Sequence, residues 1–272
     1  MVKGVIPFLF LIFIVGGCFS PPEFPVNPQI EFVKLEFVET PDLSEQDSLN
    51  LYINFKDGDG DLGISPTTID DPFHEINFFL TGSSTPVPTS ALYTNLPPFV
   101  NPPANSTGKL ETIRSKNIPY NCYQFIYDSV FVNEPDKSIF DATYNIHDTL
   151  TANGFPNVYI LLDTFYYEVN PTHYNIEVDF LVKNNAGQFV EFDWRKEFCS
   201  TFDGRFPVLS SKTGPIEGTL KYSMTSTGFK FLFSIKTLKL RIKIRDRMLH
   251  ESNNGNYIET PEFTLNDIRK GG

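Results

Sequence analysis

Leu238-Lys239-Leu240-Arg241-Ile242-Lys243-Ile244-Arg245 alternates aliphatic and basic residues without a break. Successive side chains of a β-strand point to opposite sides. A period of two therefore buries Leu238, Leu240, Ile242 and Ile244 and leaves the basic residues in water. Each aliphatic side chain removed from water contributes ~1.5–3 kcal/mol before entropy is counted. The same alternation recurs at Leu49, Leu51, Ile53 and Phe55, set against Asn50, Tyr52 and Asn54. It recurs again at Tyr174, Ile176, Val178, Phe180 and Val182, where Leu181 is the one apolar residue on the polar side. Further strands are expected at Ile30–Val38, Ile76–Leu80, Gln124–Val132, Val158–Asp163, Gln188–Asp193, Gly218–Met224 and Phe229–Ile235. No long stretch keeps a capped 3.6-residue period, and helical turns are expected only near Asp136–Ala142 or Asp193–Phe198. Many short strands separated by Gly, Pro and Asn predict an all-β chain folded as an antiparallel β-sandwich.

Between Thr81 and Pro119 the alternation lapses. Pro86, Pro88, Pro97, Pro98, Pro102 and Pro103 lie among Ser, Thr and Asn, which reads as a long Pro-rich surface insertion. Residues 30–272 are then one domain that carries the 81–119 insertion. The 27 Phe and 12 Tyr against a single Trp suit a stiff aromatic sheet core. The formal charge of −11 has the wrong sign for phosphate neutralisation, which excludes a nucleic-acid partner.

The N-terminus has a lone Lys3, an apolar run from Val5 to Val15, and then Gly16-Gly17-Cys18. A positive start, an apolar middle and small residues form a secretory signal over residues 1–17. The run is too short to span a bilayer, which takes ~20 apolar residues. Val15-Gly16-Gly17-Cys18 resembles the lipobox of bacterial lipoproteins, in which the cysteine is diacylated and the signal is cut before it. That resemblance implies a covalent lipid on Cys18, and two or more acyl chains give stable anchoring. Residues 18–29, with Pro21, Pro22, Pro25 and Pro28, would form a semi-rigid tether. Cys122 and Cys199 remain, and outside the cytoplasm such a pair is expected to be bonded.

Asp57-Gly58-Asp59-Gly60-Asp61-Leu62-Gly63 follows the strand that ends at Phe55. Carboxylates at alternate positions, spaced by glycines that allow tight curvature, can converge on one hard cation. Calcium accepts 6–8 oxygens at roughly 2.3–2.6 Å in irregular cages. The loop is not an EF-hand, because Leu62 stands where that motif needs Gly and Thr68 where it needs Glu. Asp246 ends the basic strand and could add a fourth carboxylate, with Asn253 adding an amide oxygen. Two alternatives stand beside this reading: a solvated acidic turn, and for Asp246 an ion pair with Arg245 or Arg247.

Phe55–Gly63, Asp246-Arg247-Met248-Leu249, Ser252-Asn253 and Glu259-Thr260-Pro261-Glu262 resemble recurrent elements of uncharacterised Bacteroidota outer-membrane lipoproteins with Ig-like β-sandwich domains. The resemblance covers the two ends of the folded region. It implies an Ig-like sandwich and an outer-membrane location. Surface export in that group goes with acidic residues just after the cysteine. Only Glu23 follows here, so the cell surface and the periplasmic face both remain open.

The four His residues are dispersed, with no His-Glu-x-x-His or Cys-x-x-Cys pattern for zinc and no Gly-x-Ser-x-Gly elbow. The expectation is a lipid-anchored, non-enzymatic binding or accessory protein of the outer membrane, stabilised by calcium and engaging a protein complex. The alternative is a carbohydrate-binding lipoprotein of a glycan-uptake system, with Tyr166, Tyr167 and Trp194 as a platform for sugar rings. A hydrolase with a carboxylate pair is the third reading.

Overall fold

The computed structural model describes residues 23–42, 45–88, 111–133, 145–152, 155–211 and 213–270, and at 87–88 and between 128 and 163 the backbone alone. Cys18, the signal segment, residues 18–22 of the tether, Asp136–Ala142 and residues 89–110 of the insertion lie outside the described residues.

Three antiparallel sheets form. The first has the order β1 (Gln29–Val38), β2 (Asp47–Asp57) and β10 (Ile216–Ser226). The second runs β12 (Ile258–Glu259), β11 (Leu238–Ile244), β8 (Ile176–Lys183) and β9 (Phe189–Phe192). The third runs β4 (Pro86–Pro88), β3 (Ile76–Phe79), β7 (Phe155–Val169) and β5 (Phe125–Asn133), with β6 (Asn145–Ala152) also on β7. Three short helices are described: α1 (Ile113–Lys116), α2 (Trp194–Phe198) and α3 (Gly228–Phe233).

The inward stripes of the first two sheets share one core. Leu49, Leu51 and Ile53 of β2 are fully buried with Leu238, Leu240 and Ile242 of β11 and Phe180 of β8. Register fixes the partners, with Ile53 opposite Leu220 and Leu240 opposite Phe180. The two helices α2 and α3 add Trp194, Phe229 and Phe233 to this core, packed on Phe180 at ring-centroid distances of 5.6, 5.9 and 5.7 Å. A second, smaller aromatic cluster lies in the third sheet, where Phe78 meets Phe165 and Phe125 meets Tyr166 edge-on.

The expectation of an all-β Ig-like sandwich is overturned. The fold is mixed, with helices packed into the core and three separate, unclosed sheets. The resemblance to Ig-like Bacteroidota lipoproteins falls with it. The decisive misreading is Phe229–Ile235, where the chain forms the helix Gly228–Phe233 and a turn rather than a strand. Phe229, Phe231, Phe233 and Ile235 fit a period of two, but Phe229 and Phe233 also fit i, i+4, and a short apolar run does not discriminate. Burial decides for the helix: Phe229 and Phe233 are enclosed, while Phe231 and Ile235 are almost wholly exposed. The turn at Asp193–Phe198 does form, as α2, with the Asp193 carboxylate accepting from Lys196 N at 3.0 Å.

The third sheet is tied to the rest covalently. Cys122, just before β5, is disulfide-bonded to Cys199, the left-handed C-cap of α2, with the Cα atoms 5.5 Å apart. Closing a loop of 77 residues contributes about 4.5 kcal/mol in the chain-entropy account. Arg205 adds a polar tie, donating to the carbonyls of His173 at 2.6 Å and Phe73 at 3.0 Å.

Candidate metal centre

The inward series of β2 runs Leu49, Leu51, Ile53, Phe55 and then Asp57. That of β11 runs Leu238, Leu240, Ile242, Ile244 and then, two residues on, Asp246. Each stripe keeps its parity past the last apolar residue and so points a carboxylate inward at the C-terminal end of its strand. The two stripes face one another across the shared core, so the acids meet. Asp57 and Asp246 are both fully buried.

The loop after β2 brings two more carboxylates. Asp61 N–H donates to Asp57 Oδ2 at 3.0 Å and curls the chain back on itself. Leu62, fully buried, pins the end of the curl in the core. Gly63 then sits at φ +95, and a Cβ there would lie 2.2 Å from the Pro207 carbonyl oxygen. A Cβ on Gly58 would meet the Phe24 carbonyl oxygen at 2.4 Å, where the chain entering β1 crosses the loop. These two positions need glycine for close approach of backbone to backbone.

One oxygen from each of Asp57, Asp59, Asp61 and Asp246 lies within 4.8 Å of the others. Oxygens on opposite sides of one calcium-sized ion stand about 5 Å apart, so a single cation can touch all of these carboxylates. The cluster can therefore hold a metal ion. Oδ1 of Asp57, of Asp59 and of Asp61 are each buried without a hydrogen-bond partner among the described residues. Burial, with Asp59, Asp61 and Asp246 close by, pushes the Asp57 carboxyl up to about 7. Burial and the charges of Asp246 and Asp59 push Asp61 up to about 6. Both shifts express the same deficit of positive charge. The donor set is all oxygen, which selects a hard cation over zinc or copper.

Asp246 is positioned by the turn that follows it. Its Oδ1 accepts from His250 N at 2.8 Å, and its Oδ2 lies 2.8 Å from His250 Nδ1. That bond raises the His250 ring above its ordinary pKa, as expected of a donor to a carboxylate. The ion-pair alternative for Asp246 finds its arginines engaged elsewhere. Arg245 pairs with Glu177 at 2.7 Å and Glu251 at 2.8 Å, and Arg247 donates to the Gly63 carbonyl at 3.1 Å.

Asn253 does a different job from the ligand expected of it. Its Oδ1 accepts from Ile30 N at 2.9 Å and its Nδ2 donates to Ile30 O at 3.1 Å, so the amide clamps the start of β1. The aromatic platform is also corrected. Tyr166 and Trp194 are each only 7% exposed, and the Trp194 indole is enclosed by Phe192, Phe202, Phe229 and Phe233. Tyr167 is half-buried, with its hydroxyl donating to Cys122 O at 3.1 Å. Sugar stacking needs open ring faces, which the buried Tyr166 and Trp194 do not offer. His250 was the polar residue missed; its position four after Asp246 was the available signal.

No family model, no curated protein and no solved structure matches the chain. The class is accordingly set by fold and site alone: a mixed, mainly β chain with a cluster of four carboxylates, able to hold a metal ion, at one end of its core.

Proposed function

We propose that the chain is a lipid-anchored, non-enzymatic binding or accessory protein of a bacterial outer membrane, and that a calcium ion in the Asp57, Asp59, Asp61 and Asp246 cage stabilises its fold. The observation that supports calcium most directly is the trio of buried, unpartnered carboxylate oxygens on Asp57, Asp59 and Asp61. A dication with several oxygen ligands satisfies them together, and an irregular cage suits calcium better than octahedral magnesium. The role is structural because the ligands join β2 of one sheet to the end of β11 in the other. The cage also borders the tether. Gly58 N–H donates to Pro25 O at 2.9 Å and Asn253 N–H to Pro28 O at 2.9 Å, so the ion end of the fold faces the segment that leads to Cys18. The anchor itself rests on the Lys3-to-Cys18 sequence, and the non-enzymatic reading on the motifs of the chain.

Two measurements test the reading. The full chain should melt at a higher temperature with calcium than after chelation, and Asp59→Asn should blunt the difference. An unchanged melt removes the ion. Radiolabelled palmitate should mark the unmodified chain but not Cys18→Ala, which should leave the membrane fraction. An unlabelled chain removes the anchor. A pull-down from solubilised membranes that recovers only the bait would count against a protein partner.

A further inference from the structure

The first sheet has two edges, and they are finished differently. On the β1 side, the Asn253 amide takes both backbone groups of Ile30, and the Phe37 N–H and C=O bond Ile268 O and Lys270 N at 2.8 Å each. On the other side, β10 runs for 11 residues with β2 as its one strand partner among the described residues. No turn bonds its outer backbone edge among those residues either. Glu217, Gly218, Thr219, Lys221, Ser223 and Thr225 are exposed along it. An edge of this kind is a template for a further strand.

We propose that β10 pairs with β10 of a second copy of the chain, antiparallel and centred on Thr219, joining two first sheets into one. The charges choose both partner and register. Glu217 and Lys221 are the charged residues of β10, and neither has an ion-pair partner among the described residues. They stand two residues either side of Thr219 and on the same face as it. A twofold axis at Thr219 therefore sets Glu217 of each copy directly opposite Lys221 of the second copy. Other twofold registers leave these charges unmatched. The same axis puts Ile216 opposite Tyr222 and Gly218 opposite Leu220, which continues the inward face across the join. Thr219 meets itself, a favourable cross-strand pair. The mode is β-augmentation, in which main-chain bonds supply affinity and the side-chain pairs supply register.

The test uses the full, detergent-solubilised chain in calcium at roughly 0.1 mM, where even a weak interface associates. Sedimentation should give a dimer. Glu217→Lys, which opposes two lysines at each end of the pairing, should weaken it roughly tenfold. The double change Glu217→Lys with Lys221→Glu should restore it. Under mild oxidation Thr219→Cys should crosslink well above the unmodified chain. Thr225→Cys should not, because its copies lie roughly 40 Å apart in this register. A monomer, a dimer indifferent to Glu217→Lys, or equal crosslinking at both cysteines would overturn the proposal. So would tighter association of Lys221→Thr, which would make Lys221 a guard against pairing.

Discussion

Strand β2 begins on Asp47 and ends on Asp57, both buried, and the chain treats them in different ways. Asp47 Oδ1 accepts from Thr40 N at 3.0 Å and from the Thr40 hydroxyl at 3.3 Å, so the neighbouring turn supplies its donors. Asp57 accepts one bond, from Asp61 N, and its other oxygen has none among the described residues while three more carboxylates crowd it. A buried carboxylate is tolerated when hydrogen-bonded or paired with a counter-charge, and is expensive otherwise. The same side chain on the same strand is thus solvated by protein at one end and left short of partners among the described residues at the other.

The largest expected effect separates the two ends directly. Calcium at about a thousand times its dissociation constant stabilises a folded chain by about 4 kcal/mol, which at this size moves the melting temperature by roughly 10 °C. Asp57→Asn should abolish that shift. Asp47→Ala should lower the melting temperature by a few degrees through the lost turn bonds, about 1 kcal/mol, and keep the calcium shift whole. Equal loss of the calcium shift in both variants would erase the distinction.

A second experiment asks whether the ion end depends on its close backbone contacts. Gly63→Ala meets both a positive φ and the Pro207 carbonyl, so it should cost upward of about 2 kcal/mol in denaturant titration. Gly82 also has positive φ, at +78, but nothing lies within 4 Å of a Cβ there. Gly82→Ala should cost about 1 kcal/mol, backbone strain alone. Matching midpoints for the two variants would mean that the loop is not pressed against Pro207.

The cage was legible in the sequence because it rests on parity. Leu49 to Asp57 and Leu238 to Asp246 each continue one alternating stripe, and both place an acid at the same end of the core. The disulfide was legible from the pairing of the two remaining cysteines. What failed did so where local pattern is degenerate. Phe229–Ile235 satisfies two periods at once, and only its packing against Phe180 settles the helix. The Tyr166 and Trp194 rings could face water or core, and aromatic composition alone does not say which. Asn253 carried the right oxygen for a ligand, but sequence cannot show that the chain entering β1 passes beside it and claims both ends of its amide.

That claim on Asn253 yields a third expectation. Asn253→Ala removes two bonds to Ile30 and leaves those backbone groups short of partners, a loss of about 1–3 kcal/mol. The calcium shift should survive nearly intact, because the carboxylates supply the cage. A lost calcium shift would return Asn253 to the ligand set.

The last expectation is a trend with pH, and it bears on the charge state of the Asp57 end alone. In calcium-free protein Asp57 titrates at about 7 and Asp61 at about 6, both above the ordinary carboxylate range. Between about pH 4 and 7 the folded chain therefore keeps protons that the unfolded chain has already released. Stability from these two groups is present below that window and is lost as the pH rises through it. A calcium ion held by the ionised carboxylates would reverse the trend, so the gap between calcium-loaded and calcium-free melting temperatures should widen from pH 5 to pH 8. Dialysed, calcium-free protein is the right reference, since chelators weaken in acid. Asp47→Ala should preserve the widening and Asp57→Asn should remove most of it. A gap that stays constant from pH 5 to pH 8 would mean that protons and calcium do not compete for the same oxygens, and the cage would lose its ligands.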